Sequence, residues 1–167
     1  SDMLPTLCDW AGIELPKRPL DGISLAALLH GKMKTRSKPI GFWGFNSGRA
    51  SRSGAKPYFT AEQQRGTTPL VKYMGDILTR NFRNYHQPPI EEADYGGSRA
   101  WLDNQYKLVV HGSSDAKPEL YDLRADPAEK TNLASKQPKV VALMNRQLRD
   151  WQSSVLKSLR EHDYPKK

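Results

Sequence analysis

Three acidic side chains, Asp122, Asp126 and Glu129, fall in the stretch ELYDLRADPAEKTNLA at residues 119 to 134. Carboxylates that close together can share a divalent cation. A calcium loop, however, sets its oxygens at alternate positions and closes on a bidentate glutamate, a spacing absent here. The same acids make better turn formers, because an aspartate before proline accepts backbone N–H bonds two or three residues on. Asn132 and Leu133 then close the turn and anchor it. A second group, Arg80, Arg83 and His86 in RNFRNYHQ, offers basic side chains that suit an anionic partner. For any one of these taken alone, solvation is the preferred reading, and for His86 a hydrogen bond that holds its loop. His111 ends a strand, His30 ends a helix beside Gly31, and His162 lies near the terminus; none has partners that point to catalysis. Cys8 is the single cysteine, which excludes an intramolecular disulfide and a cysteine-based zinc site. Its apolar neighbours read as a helix burying a small side chain.

The chain has 167 residues, enough for one domain with a real core. Twelve prolines and twelve glycines point away from a helix bundle and toward many turns. Lys plus Arg at 26 against Asp plus Glu at 18 give a net charge of +8, which favours anionic partners. Only KMKTRSK, at 32 to 38, concentrates that charge, so the preferred reading is a basic solvated surface and not a nucleic-acid stripe. No apolar run reaches the roughly 20 residues that span a bilayer. The opening lacks a basic leader and an initiator Met, and is expected to be cut from something longer.

The elements that must position these residues follow from local pattern. Residues 2 to 11 read as a helix, capped by Ser1 or Asp2 and stopped by Gly12, with Leu4, Leu7, Cys8 and Ala11 on one face. GISLAALLHG reads as a second short helix, with Ser24 as its cap and Gly31 as its stop. KPIGFWGF, at 38 to 45, is a strand. Residues 46 to 97 form a long ordered excursion, because its aromatic and aliphatic side chains need burial, with one helix around PLVKYMGDILTR. Residues 98 to 112 form a hairpin turning at Asp103-Asn104, and Glu119–Leu123 is the last strand. A closing helix from Pro138 presents Val141, Met144, Leu148, Trp151, Val155 and Leu159 on one face. The fold class is therefore α+β: an antiparallel sheet of about four strands covered by a long C-terminal helix, preceded by two short helices.

Three of these stretches resemble one family. ELYDLRADPAEKTNLA closely resembles the C-terminal signature of the type I sulfatases, a Leu-Tyr-Asp-Leu strand followed by Asp-Pro, Glu and Asn-Leu. SDMLPTLCDWAGIELPKRPLDGISLAALLHG is similar to the family segment in which a Pro-Thr-Leu helix precedes Asp-Gly-x-Ser-Leu, and RAWLDNQYKLV resembles its last hairpin. The three occur in the family's order and cover about half the chain; residues 46 to 97 carry no assignable motif.

The resemblance implies a sulfuric ester hydrolase of the arylsulfatase and alkaline phosphatase-like superfamily. Its formylglycine nucleophile comes from a Cys or Ser in a Cys/Ser-x-Pro/Ser-x-Arg motif and works beside a divalent cation, usually calcium. Cys8 is not that residue, since Gly12 stands where the Arg would be. Residues 1–37 are then expected to be the end of the catalytic α/β domain and 38–167 the C-terminal subdomain. No catalytic, cofactor or metal residue is expected in this chain. Its expected partners are the N-terminal catalytic domain of the same polypeptide and a sulfated carbohydrate, with no membrane or nucleic acid. Arg80, Arg83 and His86 are the substrate-contact candidates, and the parent is expected to be exported to a periplasmic, secreted or lysosomal setting. Two other readings stay open: a free-standing module binding sulfated glycans or other polyanions, and, on charge alone, a nucleic-acid-binding domain. Against both, the apolar faces of the two short helices would lie exposed in a free-standing chain, which should then self-associate.

Overall fold

The structure is a computed structural model that describes residues 1–46, 57, 60, 62, 65, 73–74, 77–78 and 86–163. Helix α1 (Met3–Ala11) ends where Gly12 turns left-handed at φ 64°. The single turn α2 (Ala26–Leu29) follows a connector. Strand β1 (Ile40–Trp43) comes next, then two short strands, β2 (Tyr73–Met74) and β3 (Ile77–Leu78). These two pair antiparallel, Tyr73 with Leu78 and Met74 with Ile77, where the sequence had suggested a helix. Most of the rest of the excursion, Arg80 and Arg83 included, lies outside the described residues.

A 3-10 turn (Glu92–Tyr95) leads into β4 (Arg99–Asp103), β5 (Tyr106–Val110) and β6 (Glu119–Asp122). The sheet runs β1-β4-β5-β6, antiparallel throughout. Asp103 pairs with Tyr106, so the tight turn is Asn104-Gln105, one residue later than the sequence suggested. Asn104 is the residue that takes positive φ, at 39°, a conformation asparagine tolerates well.

Helix α3 (Pro138–Leu159) lies on one face of the sheet. Trp101, Leu108, Val110 and Leu120 from the strands meet Met144 and Leu148 from the helix in the core. The buried stripe of α3 is Met144, Leu148, Gln152 and Leu156, a strict spacing of four. Val141, Trp151 and Val155 are half-buried beside it, and Leu159 is exposed at the frayed end. A polar residue enters the stripe because the side-chain amide of Gln152 finds the carbonyl of Tyr95 at 3.1 Å, satisfying a buried donor.

Candidate functional site

The acids of residues 119 to 134 are all engaged. Asp122 Oδ2 accepts the Gln105 side-chain amide at 2.7 Å, and Oδ1 accepts the N–H groups of Arg124 and Ala125. The Gln105 bond, with the backbone donors behind it, holds this carboxyl below the usual carboxylate range. Asp126 Oδ2 accepts the Thr131 N–H at 2.7 Å, and both oxygens of Glu129 meet Lys107 Nζ at 2.7 Å. Asn132 does the least obvious work: Oδ1 accepts the Leu120 N–H at 3.1 Å, while the Leu133 N–H donates to the Leu120 carbonyl at 2.7 Å. Those two Leu120 groups face away from β5, so this turn closes the open edge of β6. The stretch is a structural crossing. Among the described residues no group of three His, Cys, Asp or Glu side chains is placed to hold a metal ion.

The predicted cationic contacts are only partly visible. His86 is exposed, while Arg80 and Arg83 fall outside the described residues. His111 Nδ1 lies 3.3 Å from Ser98 Oγ beside the excursion's neck, where the Trp43 indole donates to the Gly96 carbonyl and the Gly44 N–H to Ser98. Arg149 of α3 braces the same neck, stacked 3.2 Å from the Tyr95 ring centroid and paired with Glu92. Arg99 is buried, with its guanidinium bonded to the carbonyls of Gly97, Gly112, Ser113 and Ser114, and burial lowers its pKa.

The segment before the sheet is tied to it at several places that sequence reasoning missed. Asp2 does not cap α1, as had been expected; its two oxygens take both terminal nitrogens of Arg36 at 2.7 Å. The Arg36 guanidinium, helped by the Ile23 N–H, brings the Asp2 pKa down to about 2. Thr6 is buried; it donates to the Asp2 carbonyl and accepts the Leu25 N–H at 3.0 Å. Ser24 Oγ accepts the Ala26 N–H and donates to Asp9, but the cap position of α2 is Leu25, one residue later than the sequence suggested. Asp21 accepts the Trp151 indole N–H at 2.9 Å, which joins the connector to α3. Gly22 is obligatory: a Cβ there would sit 2.1 Å from the Ser1 carbonyl oxygen. Thus Asp21, Gly22 and Ser24 of DGISL each have a side-chain reason for their place, while Ile23 and Leu25 are held through their backbone N–H groups. A cavity of about 310 Å³ lies at this joint, among Asp21, Lys38, Ile40, Trp101 and Trp151. These ties run between side chains far apart in sequence, which no local pattern signals.

The expected apolar face of α1 is not buried. Leu4 and Leu7 are exposed, Cys8 is half-buried, and Pro5 and Thr6 face inward instead. Of the eleven exposed large apolar residues among those described, eight lie between Met3 and Leu29.

No family model matches the chain. Two curated relatives, both named Arylsulfatase K, align with it. The Xenopus laevis protein is 25% identical over 166 residues, 99% of this chain and 22% of the relative. The Bos taurus protein is 30% identical over 93 residues, 52% of this chain and 17% of the relative. The chain thus spans about a fifth of the length of the curated relatives it matches. Among solved structures, a 2-O GAG sulfatase is 25% identical with a TM-score of 0.50, covering 91% of this chain and 24% of that one. A candidate sulfatase from Bacteroides thetaiotaomicron VPI-5482 is 25% identical with a TM-score of 0.51, covering 94% and 25%. A candidate sulfatase from Bacteroides fragilis, 19% identical with a TM-score of 0.53, covers 96% and 26% and shares the fold.

Proposed function

Because the chain is a sulfatase-like region over most of its length, we propose that it is the C-terminal part of a sulfatase, a sulfuric ester hydrolase acting on sulfated sugars. What carries the reading is the disproportion of the matches: relatives and neighbours align with nearly all of this chain, and it covers a quarter or less of theirs. The sugar class follows the 2-O GAG sulfatase among the neighbours. The remaining three-quarters would carry the formylglycine and its cation, expected to be calcium. The described residues here do not fit either role. Cys8 lacks the arginine that the modified motif needs, and Asp122, Asp126 and Glu129 are already bonded elsewhere.

In this reading residues 1–37 close the catalytic α/β domain, residues 38–167 form the accessory subdomain, and the apolar surface between Met3 and Leu29 packs on the catalytic body. The excursion helps to wall the substrate cleft, with Arg80, Arg83 and His86 as contacts for the anionic substrate. The parent is exported. The test is sulfate release from sulfated disaccharides by a longer polypeptide containing this chain. Turnover that disappears when the Cys or Ser of its Cys/Ser-x-Pro/Ser-x-Arg motif is changed to Ala supports the proposal. A longer polypeptide with no such motif and no turnover rejects it and favours a glycan-binding module.

A further inference from the structure

We propose that Arg36 is the positioning residue of a locked joint that fixes the four-stranded sheet against the α1–α2 segment. The proposal rests on the reading that α1 and α2 belong to the catalytic body, and it adds how the cleft wall is kept in place on that body.

Arg36 is gripped from two sides. Its guanidinium meets Asp2 through two bonds of 2.7 Å, with the side chains only 16% and 22% exposed. Its peptide groups are bracketed by one side chain: Asn104 Oδ1 accepts the Arg36 N–H at 2.8 Å, and Asn104 Nδ2 donates to the Arg36 carbonyl at 3.0 Å. Asn104 stands at the tip of the central β4–β5 hairpin. A single residue therefore connects the start of α1 to the middle of the sheet. A paired fork resists rotation, since both bonds must break together. A lysine in its place would leave a single point about which the sheet could swivel.

The same boundary is crossed twice more, at other parts of the sheet. Lys38 Nζ, at the approach to β1, donates to the Leu20 carbonyl at 3.1 Å. Trp151, on α3, donates to Asp21. A hinge crosses a boundary at one place and leaves the flanks free to slide. Here the hairpin tip, the first strand and the covering helix are each held, and the Arg36 fork is the ion pair among the three.

The test uses amide exchange on this chain and steady-state kinetics on the longer polypeptide. In Arg36→Met, the Ile23 and Arg36 amides, held by Asp2 and Asn104, should exchange about ten-fold faster or more, while the β5 amides keep their rates. Arg36→Lys should fall between the two. Equal exchange in wild type and Arg36→Met overturns the joint. In the longer polypeptide, Arg36→Met should raise KM for a sulfated disaccharide by about ten-fold with kcat unchanged. Faster exchange with an unchanged KM overturns the positioning role. If no form turns over sulfate esters, the sulfatase reading fails instead, and the exchange result alone decides whether the joint is locked.

Discussion

Changing Gly41 to alanine should destabilise the fold far beyond the usual effect of adding one methyl group. A Cβ at that position would lie 2.7 Å from three atoms of the Trp151 indole, Cδ2, Cε2 and Cε3. Carbon atoms settle at about 3.5–4.0 Å, so the ring would have to retreat by about 1 Å. Its freedom to do so is small. The indole N–H is bonded to Asp21 at 2.9 Å, and Trp101 and Trp43 lie 5.9 and 6.3 Å away, centroid to centroid. Overpacking of this kind costs about 1–3 kcal/mol, and losing the Asp21 bond adds about 0.5–1.5 kcal/mol. The expected loss is thus about 1.5–4.5 kcal/mol, read as a lower urea midpoint at constant slope. In a Trp151→Leu background the same change should cost little, because the ring it strikes is gone. A loss below about 0.5 kcal/mol in the wild-type background, with unaltered indole fluorescence, would refute the claim that Trp151 is fixed between sheet and connector.

Three further outcomes are expected. The Asp2 pKa falls from 3.8 to about 2 on folding. The stability from its pairing is therefore complete above about pH 4 and lost as pH falls toward 2. The upper bound is about 2 kcal/mol, reduced by the residual exposure of both side chains; in Asp2→Asn the urea midpoint should fall less steeply with pH in that window, the remaining slope coming from carboxyls such as Asp122 that folding also holds low. Asn132→Ala strips the acceptor from the buried Leu120 N–H and should cost about 1–3 kcal/mol, whereas Asn132→Asp, which keeps an oxygen there, should cost much less by the same urea titration. The double variant Leu7→Glu and Leu29→Glu should weaken self-association of the isolated chain in sedimentation velocity, with a change in stability of no more than about 0.5 kcal/mol. Undiminished association would mean that some other surface carries it.

What could be read from the sequence was whatever repeats at short range. The alternation in β4 and β5 and the apolar spacing of α3 announced a hairpin and a covering helix, and both are present. Met144 and Leu148, on the helix face read from that spacing, are buried in the core. Expectations failed where a distant partner competed with a local one. Asp2 looked like a cap because it precedes α1, but a guanidinium 34 residues on binds it more strongly than an N–H at its own helix end. Gln152 looked like the solvent side of α3, yet a single carbonyl at Tyr95 admits it to the core. Tyr73 to Leu78 looked helical because a short apolar run fits either period, but Tyr73-Met74 and Ile77-Leu78 pair as strands. Arg36 carries no sequence signal at all. It sits in a basic loop that reads as solvated charge.

The segments that carry the resemblance are joints and not reagents. DGISL holds the connector to α1 and α3, and the Asp-Pro turn with Asn132 closes the edge of β6. Each of these positions demands a particular atom: no Cβ at 22, a carboxylate at 21, an amide oxygen at 132. Demands of that kind persist wherever the same pieces are assembled, whatever ester the enzyme cleaves. The likeness to sulfatases over this region therefore supports a shared scaffold strongly and a particular substrate weakly. On the proposed function, substrate choice falls to groups outside the joints, to be sought in the excursion and in the rest of the longer polypeptide. That is why kinetics on the longer polypeptide, with Arg80, Arg83 and His86 changed one at a time, separates the two. A rise in KM specific to one sulfated sugar would assign selectivity to the excursion. Uniform kinetics across sugars would leave this region as scaffold alone.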